Sequence, residues 1–178
     1  GGPLLINGIH DIDTLRYVTG SEMKSVYAVV RNSIRKHPVE DSAAILLETV
    51  SGVTVNFFLS DGTPSPFAYD LNAGENPKFA PAEGNCYYFF GTNGTLVFPG
   101  FEIYSYDPEH CGWEHQLITE KLAVPDNDPM TAELKHFIAI LKGETEPLVS
   151  GEDALETLRV INAIKQSAQT DAKIEIFK

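Results

Sequence analysis

Long apolar runs are missing from these 178 residues: none approaches the roughly 20 consecutive apolar positions a membrane-spanning helix needs. No basic stretch followed by an apolar one marks a secretory signal, so the chain reads as soluble and cytoplasmic. Cysteine is scarce. Cys86 and Cys111 are too few for a disulfide framework and are not spaced as a redox pair, which leaves buried free thiols as the expectation. Positive charge is short as well: 13 Lys and Arg face 25 Asp and Glu, for a net charge of -12. No basic stripe is available to follow a phosphate backbone, which argues against nucleic acid as a partner. No methionine precedes the opening "GGP", and that start reads as a point inside a longer chain.

Two chemical signatures are also lacking. No Gly-x-Gly-x-x-Gly occurs, and the one glycine-rich turn, "GTNG", joins two strands where a phosphate cradle needs a following helix. No serine or cysteine stands in a nucleophile elbow, which leaves nucleophilic hydrolysis without support. What is present is globular composition, 43% hydrophobic and 21% charged, in a length that suits a single domain over residues 1–178.

Ile9, Ile12, Leu15 and Val18 recur every third residue ahead of Gly20, which predicts an amphipathic helix over 8–19. Strands are expected over Ser25–Ile34, Ala43–Val50 and Val53–Leu59, the last two joined by a two-residue Ser51-Gly52 turn. Residues 60–85 are rich in proline and glycine and read as a long loop, a lid or wall. A meander follows: Tyr87–Phe90 and Thr95–Phe98 around Asn93-Gly94, then Phe101–Tyr106. Asn93-Gly94-Thr95 also matches a glycosylation acceptor and reads as turn chemistry. Asp128-Pro129 opens a helix with the stripe Leu134, Phe137, Ile138, Leu141, closed by Gly143. Ser150 and Asp153 start another with Leu155, Leu158, Ile161 and Ile164, and "AKIEIFK" alternates as a final strand. This order predicts an α+β fold, a largely antiparallel open sheet with helices on one face and a partner subunit on the other.

His10 carries the most chemistry, because an imidazole can exchange a proton near neutral pH. Asn7 lies three residues before it and Asp13 three after, a polar strip able to hold a substrate hydroxyl or carbonyl. The bland reading is a capped helix start in which Arg16 pairs with Asp13 and His10 is merely packed. "HCGWEH", residues 110–115, holds possible zinc ligands at a spacing that no established zinc site uses.

Several stretches together resemble a known family. "GGPLLINGIHDIDTLRYVTG" is similar to the segment that opens the C-terminal domain of the Gfo/Idh/MocA oxidoreductases, and the likeness continues through "EDSAAILLETVSG", "SPFAYDLNAGENP", "FFGTNGTLVFP" and "PLVSGEDALETLRVINAI" in family order. The resemblance implies the C-terminal α+β domain of glucose-fructose oxidoreductase and dihydrodipicolinate reductase-like proteins. It further implies an N-terminal Rossmann domain that binds NAD or NADP, no cofactor on this chain, and homo-oligomers built through the open sheet. His10 matches the histidine that contacts the substrate carbinol, and Ser65, Phe67 and Asn76 fall in the loop expected to bind substrate. The family's lysine in Glu-Lys-Pro belongs to the other half. Many relatives keep an aspartate four residues before the histidine; that position is Ile6 here, and Asn7 stands in as the polar neighbour. An amide can orient a substrate oxygen but cannot exchange a proton at neutral pH. The function implied is the substrate-binding and oligomerisation domain of an NAD(P)-dependent oxidoreductase of polyols, sugars or related hydroxy compounds, inactive alone. A non-catalytic ligand-binding or assembly module of the same fold is the alternative, and a zinc hydrolase a distant third.

Overall fold

The structure, a computed structural model, describes residues 1–125 and 128–177. They form two compact units, one of Gly1–Pro64 with Pro147–Lys178 and one of Ser65–Glu146. The class is α+β with antiparallel strands, as the pattern predicts, but the strands divide between two four-stranded sheets.

In the first unit a π-turn, Leu4–Gly8, leads into helix α1, Ile9–Thr19. Strands β1 (Met23–Arg31), β2 (Ser42–Thr49) and β3 (Thr54–Ser60) follow, and the long helix α4 (Gly151–Thr170) and short strand β8 (Ile174–Glu175) close the chain. The sheet order is β3-β2-β1-β8. Val26 lies opposite Leu47, Ala28 opposite Ile45, and Ile45 opposite Phe57, so one face of the sheet is apolar with period two. That face is covered by α4, whose Val160, Ile161 and Ile164 are fully buried, and α1 adds Ile12 and Leu15. Each such side chain contributes roughly 1.5–3 kcal/mol by leaving water. β8 reaches only Ser25 and Val26, and beyond it the Ala28 N–H donates to Ser167 Oγ at 2.9 Å. The opposite sheet face carries Tyr27, Leu46 and Phe58, all exposed.

The second unit holds α2 (Tyr69–Ala73), the meander β4 (Tyr87–Gly91), β5 (Gly94–Phe98), β6 (Glu102–Ser105) and β7 (Ile118–Lys121), and helix α3 (Pro129–Leu141). Rings from Tyr69, Tyr87 and Phe101 gather round Phe98 at centroid distances of 5.8, 5.8 and 5.0 Å.

Local expectations are corrected in several places. β1 stops at Arg31, because Asn32–Glu40 turns back to let Asp41 accept the N–H groups of Ile34 and Arg35, both at 2.8 Å. The β2–β3 turn has three residues, Val50–Gly52, with Gly52 at φ +90° and Thr49 N–H bonded to Val53 O. Gly94 pairs with Gly91, so the β4–β5 turn is Thr92-Asn93 and not Asn93-Gly94. The 60–85 loop contains α2, and β7 carries too weak an alternation to stand out in the sequence. Leu155 and Leu158 stay exposed on α4; the face that packs is Thr157, Val160, Ile161, Ile164 and Ser167. The stripe on α3 exists, but Leu134, Phe137, Ile138 and Leu141 are all exposed. Cys86 is half-buried and Cys111 exposed rather than buried. The last residue of the expected terminal strand, Lys178, lies outside the described residues.

Candidate active site

α1 is held at both ends. Near its start the Leu4 N–H donates to Glu40 Oε1 at 3.1 Å, a carboxylate placed where the helix dipole favours negative charge. Gly2 makes room for it, since a Cβ there would lie 2.2 Å from the Glu40 carboxyl. At the other end Gly20, at φ +57°, ends the helix in the left-handed conformation glycine tolerates.

The buried side of α1 carries the densest polar network of this unit. Arg16, 6% exposed, donates Nε and Nη2 to the two oxygens of Glu22 at 2.8 and 2.7 Å. It also reaches Asp153 Oδ1 at 2.9 Å, Asp153 O at 3.1 Å and Thr157 Oγ1 at 2.7 Å. The Thr157 hydroxyl donates in turn to Asp13 Oδ1 at 2.7 Å. The bond to Glu22 above all raises the Arg16 pKa beyond its already high value, against the opposing effect of burial. The expected pairing of Arg16 with Asp13 survives only as a 3.6 Å contact, because Glu22 and Asp153 take the guanidinium first.

The other side of α1 faces solvent. His10 and Asn7 are both exposed, with Ile6 57% and Tyr17 74% exposed, and among the described residues His10 has no hydrogen-bond or ion-pair partner. The π-turn alters the expected strip. Its wider winding brings Ile6 more nearly into line with His10 than an α-helix does, and turns Asn7 further aside. The side chain that shares His10's line is therefore apolar, and π-turns of this kind recur at functional sites.

Ser65, Phe67 and Asn76 belong to the second unit. Ser65 Oγ accepts the Phe67 N–H at 3.1 Å, Asn76 Oδ1 accepts the Lys78 N–H at 3.1 Å, and the Phe67 ring is 65% exposed. Two residues that the sequence did not single out organise this loop. Asn72 Nδ2 donates to Pro66 O and Ala82 O at 3.0 and 3.1 Å, and Tyr69 donates its hydroxyl to Glu75 at 2.6 Å while stacking on Phe98. Burial, then Glu75, pushes the Tyr69 phenol up, so it stays protonated. Asn72 stands between Leu71 and Ala73 with no proline or glycine beside it, and no local sequence signal marks it.

His110 and His115 approach with ring centroids 5.6 Å apart, beside Asp107 and Glu114 respectively. Among the described residues no three His, Cys, Asp or Glu side chains converge on a point that could hold a metal ion. Among the same residues every pairing between strands is antiparallel. A parallel strand-helix-strand crossover of the kind on which a dinucleotide's pyrophosphate rests is not found among the described residues. No described helix is long and apolar enough to cross a membrane.

Residues 1–176 match the model of the oxidoreductase family's C-terminal alpha/beta domain, and the chain belongs to that family, Gfo/Idh/MocA. Among solved structures it is similar to an NAD-binding protein from Listeria innocua, with a TM-score of 0.74 at 21% identity, covering 100% of this chain and 49% of that one. It is similar to the aldose-aldose oxidoreductase of Caulobacter crescentus complexed with glycerol, with a TM-score of 0.62 at 24% identity over 98% and 48% of the two chains. A third is an oxidoreductase from Agrobacterium radiobacter in complex with NAD+, L-tartaric acid and magnesium, with a TM-score of 0.67 at 21% identity over 96% and 48%. The chain spans about half the length of these structures. No curated protein matches its sequence.

Proposed function

We propose that this chain is the substrate-binding and oligomerisation domain of an NAD(P)-dependent oxidoreductase acting on a polyol, sugar or related hydroxy compound. The observation that carries the reading is His10, presented to solvent from a helix whose other face is locked into the core. His10 contacts the substrate carbinol and holds or accepts its proton, the role for which an imidazole suits neutral pH. Asn7 orients a substrate oxygen. In the second unit, Ser65, Phe67 and Asn76 are the substrate-binding candidates by family resemblance, with a hydroxyl, an aromatic face and an amide to offer. The nicotinamide binds to an N-terminal Rossmann domain outside this chain, as NAD or NADP, so this domain alone does not turn over. Neighbours of the same fold carry glycerol and L-tartaric acid, small polyhydroxy compounds, which agrees with that substrate class. Copies associate through the exposed sheet face that bears Tyr27, Leu46 and Phe58, and the protein works in the cytoplasm.

The test is an assay of the full-length protein with a panel of polyols and sugars and both nicotinamides. His10→Ala should lower turnover by about a hundredfold or more, within the range of a lost acid-base group, while leaving the fold intact. Unchanged turnover defeats the role of His10, and activity from the 178-residue chain alone defeats the division of labour. The second reading, a non-catalytic binding module, draws on Ile6, the apolar side chain in line with His10. Binding of a polyol without turnover, with either nicotinamide, would establish it.

A further inference from the structure

His10, Asp13 and Arg16 follow one another at three-residue spacing and form one oblique ridge on α1. Exposure falls along it: His10 is exposed, the Asp13 side chain keeps 38% of its surface in solvent, and Arg16 keeps 6%. The lower end of the ridge is fastened to α4. Nε and the two terminal nitrogens of Arg16 make five hydrogen bonds, matching the five N–H donors of a guanidinium. Arg16 is therefore saturated and has no donor left for a ligand.

Thr157 is the joint of this network. Its hydroxyl is buried in a residue only 3% exposed, accepts from Arg16 Nη1 and donates to Asp13 Oδ1, both at 2.7 Å. A guanidinium can only donate, so the single hydroxyl proton must go to Asp13, and both bonds are needed to separate Asp13 from Arg16. Without that hydroxyl the Asp13 carboxylate, now 3.6 Å from Nη1, closes directly on the guanidinium and draws the ridge toward α4. The movement available is close to one ångström.

We propose that Thr157 is a positioning residue for His10: through Asp13 and Arg16 it sets the rotation of α1 about its own axis, and with it the direction in which His10 meets substrate. The proposal rests on the reading of His10 given above. A misplacement of this size costs up to about a hundredfold in rate even when its cause lies far from the reacting atoms. Two stretches that carry the family resemblance, "HDIDTLR" and "SGEDALET", thereby act as one device although Asp13 and Thr157 stand 144 positions apart.

The experiment compares Thr157→Val, which keeps the shape and loses both bonds, with Thr157→Ser, which keeps them, in the full-length protein. Three quantities are read: the His10 ring resonances by NMR, assigned by their loss in His10→Ala; amide exchange across residues 9–19; and kcat and KM on the polyol or sugar that is turned over. Thr157→Val should displace the His10 resonances, speed α1 exchange about tenfold, and lower kcat about ten- to a hundredfold with KM little changed. Thr157→Ser should restore all three. A folded Thr157→Val protein with wild-type His10 resonances and kcat overturns the proposal. Should Thr157→Val fail to fold, Asp13→Ala breaks the same link at a half-exposed position and is judged by the same outcomes. Normal turnover in His10→Ala defeats the catalytic reading alone; the resonance shift still decides whether Thr157 positions the ring.

Discussion

The guanidinium of Arg16 grips the carboxylate of Glu22 through two parallel hydrogen bonds, Nε to Oε2 at 2.8 Å and Nη2 to Oε1 at 2.7 Å, across the turn between α1 and β1. Such a fork constrains direction as well as distance. Arg16→Ala strands Glu22, Asp153 and Thr157 together and should cost about 2–4 kcal/mol. That is less than for a wholly buried pair, because Glu22 and Asp153 keep 39% and 44% of their side-chain surface in solvent. Arg16→Lys should recover only part of the loss, since an ammonium cannot make the paired bonds. Urea unfolding of the three proteins measures both.

Asp41, 1% exposed, sets an acid limit on stability. Burial by itself would raise its pKa, but the N–H groups of Arg35 and Ile34 and the Ser42 hydroxyl outweigh burial and hold it below the usual range. In acid the unfolded chain therefore binds the proton more readily. The stabilisation is complete above the unfolded value near 3.9 and disappears as pH falls toward the folded value. Glu48, lowered by Lys24 and then Lys173, acts in the same direction. Melting temperature should drop steeply below about pH 4, and Asp41→Asn should flatten that limb; an unchanged limb removes Asp41 from the account.

Gly2 and Glu40 are one feature. A methyl group on Gly2 collides with the Glu40 carboxyl, which can swing away but then abandons the Leu4 N–H. Gly2→Ala and Glu40→Ala should each cost about 0.5–1 kcal/mol, the scale of a helix-start interaction. Together they should cost little more than either alone; additive losses in a double-mutant cycle would separate them.

On the outer face of the first sheet, Leu46 lies opposite Tyr27, and Phe58 opposite Ala44. If copies associate through this face as proposed, Leu46→Glu with Phe58→Glu should shift the protein toward monomer by sedimentation, while changing stability by only about 0.5 kcal/mol per site because both are exposed. An unaltered assembly mass would place the interface elsewhere.

Periodicity and capping made most elements legible. Asp128 accepts the Met130 N–H and Ser150 the Asp153 N–H, as their positions before the two late helices predict. Turns were less legible, since Gly52 and Gly94 each fit two turn lengths and only the strand register chooses between them. The site was half legible. His10 stood out by its chemistry, but the π-turn over Leu4–Gly8 that winds Asn7 aside has no residue spacing of its own by which to be read.

The sequence by itself determined the α+β class and the helix caps and singled out His10 as a candidate, because these follow from local spacing and side-chain type. Only the tertiary structure decided that the strands part into two sheets and that Arg16 serves Glu22 and Asp153 before Asp13. It alone joined Thr157 to the ridge that carries His10. Those facts are pairings between residues up to 144 positions apart, and which donor meets which acceptor is settled by packing rather than by propensity.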